Sequence, residues 1–359
     1  MRPAGGVTAL LFCALFPAMV RAETGAVNVL NKAGAVRSDA MGGTGTAVGK
    51  DPSLVWLNPA SIAAVASPSI TLAGQRGYFG ELLGQAIIAA PLVGGVMSFG
   101  CMYYDTGRVE AWMPDGTSRT FEVQQDFMGA LTYSQPFTAS LTAGATVKGI
   151  NSVLFGEASS AAAAFDLGAQ YRLNSMVKFG ASVRNIGTRL RYFEDDIPLP
   201  ADARAGAAFG FPIARNRDMA VVTADAEYPL SGEGVAWGVG GEYQWNGIAS
   251  VRLGLRIPAK KELASFGAGA GLTFQQYRFD YTLRLGKDFD SPQSVSVTYT
   301  FPRETPSPDR LGAPATAAPV RTAPSSSTLT EPAPEPPKKG TTDDLNDELE
   351  ELLRQTGEK

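Results

Sequence analysis

The chain of 359 residues carries 31 basic and 35 acidic residues, a formal net charge of −4, and no histidine. This balance offers no electrostatic argument for a nucleic-acid partner, and the lack of histidine excludes Ser-His-Asp and Cys-His catalysis and histidine-ligated metals. With 40 glycines, 44% hydrophobic residues and only 18% charged residues, a single large β architecture fits the length. We therefore predict no catalytic residue, no metal site and no cofactor, and the chain is not expected to be an enzyme.

Residues 1–22 have the pattern of a secretory signal peptide, with an apolar run followed by a small-residue cleavage site ending at Ala22. The alternative, an N-terminal membrane anchor, is disfavoured because the apolar run is short for a span. Removal of the signal peptide leaves Cys101 as the only thiol. A disulfide framework within one mature chain is thereby excluded.

The stretch from Ala40 to Ala63 departs from the alternating segments that follow it. Asp51-Pro52 and Asn58-Pro59 each place a side-chain acceptor at an N-cap and proline at the first helical position, which predicts two very short helices. The glycines ahead of them supply positive φ and close backbone approach. Residues 23–66 are therefore predicted to be a hatch inside a larger structure. The candidate hatch and gating residues are Met41, Gly42, Gly43, Asp51, Trp56, Asn58, Pro59 and Ala60.

From residue 67 to 301 the chain is a series of segments that alternate apolar and polar residues. In Val177 to Asn185 the apolar side chains occupy one face, and Lys178 and Arg184 the other. A soluble sandwich and a membrane barrel both produce this pattern, but short connections alternating with longer ones favour an all-β outer-membrane barrel. Fourteen strands are predicted, near residues 68–78, 82–91, 95–105, 120–135, 139–153, 160–173, 176–187, 202–211, 218–228, 235–244, 248–257, 263–274, 277–286 and 292–301, with room for an extra hairpin around 106–126.

For residues 82–104 an alternative assignment is a transmembrane helix, because these 23 positions include no charged residue. Pro91 and Gly94-Gly95 split the run into two strand-length halves, which favours a hairpin. The halves lack clean alternation, so their lumen face is also expected to be apolar. The expected lumen-facing residues are Leu82 or Leu83, Ile87 or Ile88, Met97, Phe99 and Cys101.

Two further segments follow the predicted barrel. Residues 302–340 are dominated by proline, alanine, threonine and serine, a composition typical of an extended linker. Residues 341–359 are acidic, with leucines on one helical face. They are interpreted either as a solvated tail or as a short amphipathic helix that docks to a periplasmic protein or to the chain itself.

The motif Ala40-Met41-Gly42-Gly43, followed by Trp56-Leu57-Asn58-Pro59-Ala60, resembles the N-terminal segment of the PorV/PorQ-like and FadL-like outer-membrane proteins. Residues 179–187 and 197–207 also resemble PorV-like barrels. The resemblance implies a 14-stranded barrel with a lumenal hatch, in the outer membrane of a diderm bacterium and with both mature termini periplasmic. FadL-like members carry long-chain fatty acids or other hydrophobic molecules, with exit through a wall opening near an early strand. PorV-like members act in protein secretion.

The predicted function is passive uptake of long-chain fatty acids or other hydrophobic molecules by a barrel embedded in outer-membrane lipid. The alternative is a non-transporting PorV-like scaffold or shuttle. The charges of the lumen either pair with each other and with the hatch, or some arginines anchor a carboxylate. Gly100 marks either a kink in the wall or a small residue beside the hatch. The candidate lumen-facing or ligand-binding residues are Phe99, Gly100, Arg172, Lys178, Arg184, Arg252, Arg278, Asp280 and Arg284.

Overall fold

The structure, a computed structural model, describes residues 28–31, 34–77, 80–112, 116–213, 217–232, 234–259, 264–285 and 291–302. The predicted signal peptide and the predicted acidic helix at 341–359 lie outside the described residues, as does the predicted linker beyond residue 302. In the part of the chain that the structure describes, no helix is both long and apolar enough to cross a membrane.

The fold is a closed barrel of fourteen antiparallel strands, as the sequence predicts. The barrel strands are β1 (Ser69–Arg76), β2 (Leu82–Leu92), β3 (Gly95–Asp105), β6 (Gln124–Pro136), β7 (Leu141–Leu154), β8 (Ala158–Arg172), β9 (Val177–Gly187), β12 (Asp202–Ile213), β13 (Asp218–Pro229), β14 (Ala236–Trp245), β15 (Ala249–Ile257), β16 (Ser265–Phe274), β17 (Tyr277–Leu285) and β18 (Gln293–Thr300). Each pairs with its neighbours in chain order, and β1 closes the sheet against β18.

Two small hairpins stand outside the barrel sheet. One joins β4 (Arg108–Trp112) to β5 (Ser118–Glu122), where the sequence allowed for an extra hairpin. The other joins β10 (Arg189–Tyr192) to β11 (Asp195–Pro198). The stretch that could have been a transmembrane helix is instead the β2–β3 hairpin.

The barrel turns its apolar face outward and its polar face inward. In β15, Val251 and Leu253 are 59% and 69% exposed, whereas Ser250 and Arg252, which alternate with them, are buried. A soluble sandwich would bury the apolar face, so this polarity is that of a membrane barrel with the bilayer as its outer solvent.

The connections at the two ends of the barrel differ. We call the end where β1 begins and β18 finishes the short-turn end, because its turns include 93–94 and 275–276. At the opposite end, the long-loop end, the connections 106–123 and 188–201 contain the two small hairpins. This confirms the predicted alternation, although the connection predicted at 155–160 is only the three residues 155–157.

A belt of exposed aromatic side chains surrounds the barrel near the short-turn end. Tyr299 and Phe301 meet edge to face there, with ring centroids 4.8 Å apart. Aromatic side chains of this kind settle at the boundary between hydrocarbon and headgroups. The belt consists of the exposed Tyr133, Tyr171, Phe179, Phe209, Tyr243, Trp245, Phe274, Tyr277 and Phe301, with the partly exposed Tyr299 among them.

The faces of the β2–β3 hairpin differ from the prediction in part. Leu83 and Ile87 face the lumen and are buried, but Met97 and Phe99 are 37% and 55% exposed on the outer wall, and Cys101 shares their face of β3. The predicted lumen-facing position of Phe99 is therefore wrong. Both faces of this hairpin are apolar, so hydropathy alternation cannot tell them apart.

Replacing Leu253 with arginine should place a charge at the middle of a lipid-facing strand. The free energy of unfolding should fall by about 2–4 kcal/mol, the usual cost of arginine near the bilayer midplane. Equilibrium urea unfolding in lipid vesicles measures this change. The control is Val93→Arg in the fully exposed β2–β3 turn, which should change stability by less than about 0.5 kcal/mol. Equal losses in both variants would contradict a lipid-facing position for Leu253.

Candidate functional site

The lumen holds the predicted hatch, and its two predicted helices are 3-10 helices at Pro52–Trp56 and Pro59–Ala64. The side chains of Asp51 and Asn58 cap them by accepting hydrogen bonds from the backbone N–H groups of Ser53 and Ala60. Proline follows each cap, so the sequence signal and the geometry agree.

Two further short helices that the sequence analysis did not predict precede this motif. They are α1 (Asn28–Asn31) and α2 (Val36–Ala40). A turn follows α2 in which Gly42 and Gly43 have φ of 70° and 78°. Only glycine adopts this backbone without strain, which confirms the predicted role of the pair.

The hatch touches the barrel wall backbone to backbone. A Cβ atom added at Gly254 would lie 2.1 Å from the carbonyl carbon of Met41, and one added at Gly180 would lie 2.1 Å from the Thr46 carbonyl oxygen. Real Cβ atoms do not approach so closely, so these wall positions accept no side chain while the hatch stays in place. The inward glycines in contact with the hatch are Gly100, Gly144, Gly168, Gly180, Gly206, Gly238, Gly240, Gly254, Gly267 and Gly269.

Hydrogen bonds hold the middle of the hatch against the wall. The carboxylate of Asp225 accepts from the backbone N–H groups of Gly45 and Thr46, both at 2.9 Å, and from the Thr46 hydroxyl at 2.7 Å. The Asn58 side-chain amide donates to the carbonyl oxygens of Thr46 and Ala169 at 2.8 and 3.1 Å. Asn58 therefore links the hatch to itself and to β8.

A chain of ion pairs joins the hatch to β14, β15 and β17. Arg278 lies 2.6 Å from Asp51 of the hatch and 2.8 Å from Asp280. Arg252 lies 2.7 Å from both Asp280 and Glu242. These lumen charges neutralise one another within the barrel. Breaking such a buried pair by removing one partner typically costs about 3–5 kcal/mol, because the other charge is left uncompensated.

Asp51 is the hatch end of this chain and is fully buried. Burial raises the pKa of its carboxyl, but the positive charges of Arg278 and Arg37 and the hydrogen bonds from Ser53 outweigh burial and lower the pKa to about 2. Asp51 is therefore ionised at neutral pH, and its pair with Arg278 is a contact between full charges.

Other candidate arginines are paired in the same way. Arg184 forms two hydrogen bonds with the carboxylate of Asp202 and donates to the carbonyl oxygen of Trp56. Arg284 lies 2.8 Å from Asp39 of the hatch. These contacts favour the interpretation that the lumen charges hold the barrel shut, rather than the one in which a free arginine awaits a carboxylate.

Arg172 and Lys178 lie apart from these pairs, near the short-turn end. Arg172 is exposed and donates to the carbonyl oxygen of Ala139. Lys178 is half-buried and, within the described residues, forms no ion pair. The sequence placed both residues correctly on the inward register of β8 and β9, but the structure does not bring them to the hatch ion pairs.

A second part of the lumen is apolar. We call it the apolar column, the buried side chains that β2, β3, β6, β7 and β8 turn inward together with the hatch side chains packed on them. At the long-loop end Leu190 and Tyr192 of β10 and Leu199 pack against it. The column consists of Val55, Trp56, Ile62, Val65, Leu83, Ile87, Ala89, Val96, Met102, Tyr104, Met128, Ala130, Ile150, Ala162 and Ala164.

Gly100 lies beside the hatch and does not mark a kink. A Cβ atom at Gly100 would lie 2.6 Å from the Trp56 ring, and β3 pairs with β2 and β6 without a break in register. The wall opening near an early strand, expected from the resemblance, has no counterpart in β3. A register shift lies instead between β8 and β9, at Phe165 and Leu167.

A cavity lies in the charged part of the lumen. Its lining includes Arg204, Glu227, Arg256 and Arg284, and Asp39 of the hatch. Glu227 lies 2.7 Å from Arg256, so cations and anions of the lining are again paired. Fold and site together define a hatch-plugged β-barrel whose lumen has one charged side and one apolar side.

Known structures share this architecture. The Ralstonia pickettii toluene transporter TbuX is 14% identical with a TM-score of 0.55, covering 76% of this chain and 100% of that one. The Pseudomonas putida toluene transporter TodX is 13% identical with a TM-score of 0.55, covering 78% and 98%. The CymD monoaromatic hydrocarbon channel is 12% identical with a TM-score of 0.54, covering 80% and 100%. Neither a protein-family model nor a curated protein matches the chain.

These likenesses show that the chain has the fold of the FadL-like outer-membrane barrels of Gram-negative bacteria. At such low identity they show the fold alone. The more specific resemblance to PorV- and PorQ-like barrels stays a prediction, and so do the gating and ligand-binding roles of the candidate residues.

Replacing Gly254 with valine should displace the hatch, because the new side chain would overlap the backbone at Met41 and Gly42. Ion conductance across a planar lipid bilayer should rise from a closed level to discrete open-channel steps. The control is Gly149→Val, at a position where an added Cβ has no atom within 4 Å. Identical conductance in the two variants would show that the hatch does not depend on this contact.

Proposed function

We propose that the chain is an outer-membrane barrel for the passive uptake of hydrophobic molecules, with both mature termini in the periplasm. The observation that carries this proposal is the apolar column. It continues from Leu83 and Tyr104 near the long-loop end to Ala89 and Val96 near the short-turn end. Apolar surface lined up in this way along a lumen is what a hydrophobic ligand requires.

The proteins that this chain resembles suggest two classes of ligand. The FadL-like resemblance suggests long-chain fatty acids, and the toluene transporters suggest small aromatic hydrocarbons. Both classes owe their affinity for such a column to the burial of apolar surface.

The route past the hatch follows from the unequal attachment of its two sides. Wall glycines contact both sides, but the segment from Val36 to Asp51 is also held by ion pairs and by Asp225. The second 3-10 helix, Pro59–Ala64, packs on β6, β7 and β8 beside the apolar column. We infer that movement around Asn58, Pro59 and Ala60 opens the column, while the charged side of the hatch keeps its place.

The variant Ala130→Phe should block uptake by overfilling the apolar column, because Ala130 is buried on its inward face. The assay is the entry of labelled oleate or labelled toluene into vesicles with a lipopolysaccharide outer leaflet, which slows unassisted entry. The natural chain should accelerate entry over protein-free vesicles, and Ala130→Phe should return it to the protein-free rate.

The matched control is Leu131→Phe, the next residue of β6, which is 53% exposed on the outer wall and should leave entry unchanged. If the natural chain gives the protein-free rate for both labelled molecules, the transport proposal is rejected.

The dense attachment of the hatch favours a second candidate function. A barrel that never opens would serve as a scaffold in protein secretion or envelope assembly. In that case the acidic residues 341–359 bind a periplasmic protein.

If the chain is a scaffold, a periplasmic or secreted protein should co-purify with the full chain but not with a chain ending at residue 301. The same protein should bind a synthetic peptide of residues 341–359. A peptide with its leucines replaced by alanine keeps the charge and should bind weakly, since the apolar face is lost. Recovery of no protein by either chain would reject the scaffold.

A further inference from the structure

A buried charged pair borders the apolar column. Lys148 points inward from β7 and is 2% exposed. Its neighbours across the sheet are Ala130 on β6 and Ala164 on β8, both members of the column. The next inward position of β7, Ile150, is also apolar and buried. The preceding inward position, Thr146, is polar and hydrogen-bonds to Thr132. Lys148 thus places an ammonium group at the edge of the apolar column, beside the space proposed for a hydrophobic ligand.

Two buried polar side chains bind the ammonium group. Its Nζ lies 2.7 Å from Oδ2 of Asp166, with both side chains buried, and donates to Oδ1 of Asn185 at 2.7 Å. The register shift between β8 and β9 brings Asn185 next to this pair. Its φ is 58°, its N–H donates to Oδ1 of Asp166 at 2.7 Å, and its side chain donates to the carbonyl oxygen of Pro200.

Burying a charged pair in apolar surroundings removes two ions from water, and a hydrophobic pair of the same volume usually stabilises a fold at least as well. Packing therefore gives no reason for Lys148 and Asp166 at these positions. Their effect on a ligand is different. An unpaired Lys148 would attract a carboxylate, whereas Asp166 already occupies it and would repel a second carboxylate.

We propose that Asp166 sets the ligand specificity of the column by neutralising Lys148, so that the column takes uncharged hydrophobic molecules, such as hydrocarbons and esters, and rejects carboxylates. This inference rests on the proposed uptake function and names its substrate class. Arg184, the other buried cation nearby, does not change this balance, because Asp202 and the Trp56 carbonyl oxygen already occupy it.

The test compares two probes that differ only in charge, a brominated hexadecanoic acid and its methyl ester. Bromine quenches tryptophan on contact, and Trp56 lies in the column. In the full chain with Trp112, Trp237 and Trp245 replaced by phenylalanine, Trp56 is the only tryptophan left of four. Quenching in detergent micelles at neutral pH then reports binding in the column.

The ester should quench at roughly tenfold lower concentration than the acid, since one charge-assisted contact is at stake. Asp166→Asn keeps an acceptor for the Asn185 N–H but frees the Lys148 charge, so the acid should gain about tenfold. The control Lys148→Met/Asp166→Asn has no charge at either position and should lose that gain. Unchanged ester quenching in the variants shows that the column has stayed intact.

Equal quenching by acid and ester in the natural chain, or no gain for the acid in Asp166→Asn, would overturn the inference.

Because binding and uptake are separate readouts, the two proposals can fail separately. Ester-selective quenching without accelerated entry into vesicles would reject transport and retain the specificity of the column. Accelerated entry of oleate and toluene at equal rates would retain transport and reject the role of Asp166. Absence of quenching by both probes in every form would reject the specificity of the column, while transport would still be judged by entry into vesicles.

Discussion

The direct contact between the hatch backbone and the barrel wall is the constraint on which the rest of the lumen depends. On β7, β9 and β14–β16, inward glycines leave no side chain between the wall and the hatch backbone. Short polar groups can then reach across, as when Asp225 accepts three hydrogen bonds from Gly45 and Thr46. Each such bond to a carboxylate contributes about 1.5–3 kcal/mol, and the position of the hatch results from the sum of many close contacts.

The division of the lumen follows from what each side must do. On the charged side, cations and carboxylates are buried and paired, because an unpaired charge there would be too costly. On the apolar side, the wall offers surface that water wets poorly and that a hydrophobic molecule can share. The Lys148–Asp166 pair is a buried ion pair of the same kind beside the apolar side. We therefore assign it a role in selecting ligands by their charge.

Much of this structure was predictable because it follows from local chemistry. The strand count came from period-two alternation, and the hatch helices came from Asp51-Pro52 and Asn58-Pro59. The faces of β2 and β3 were not predictable in the same way. Phe99 was assigned to the lumen because the inward face of these strands belongs to the apolar column, so both faces have the same hydropathy. Alternation identifies a face only where the two faces meet different solvents.

Long-range placement accounts for the other features that the sequence analysis missed. The inward glycines are scattered over the chain, and only the register of the closed barrel brings them onto one surface. Asn185 reaches Lys148 only because the pairing of β8 with β9 slips by one residue. Pairing of Arg278 with Asp51 likewise joins positions 227 residues apart. Such contacts depend on topology and leave no local signal.

The position of the hatch at the start of the chain fixes the order in which the molecule can be completed. Val36 bonds to Thr282 across 246 residues, and Asp39 and Asp51 pair with arginines on β17. The hatch is therefore synthesised first and receives its partners last, after the penultimate strand exists. Such long loops carry a large entropic cost of closure. The hatch therefore cannot be fully attached until the barrel is within one strand of closing.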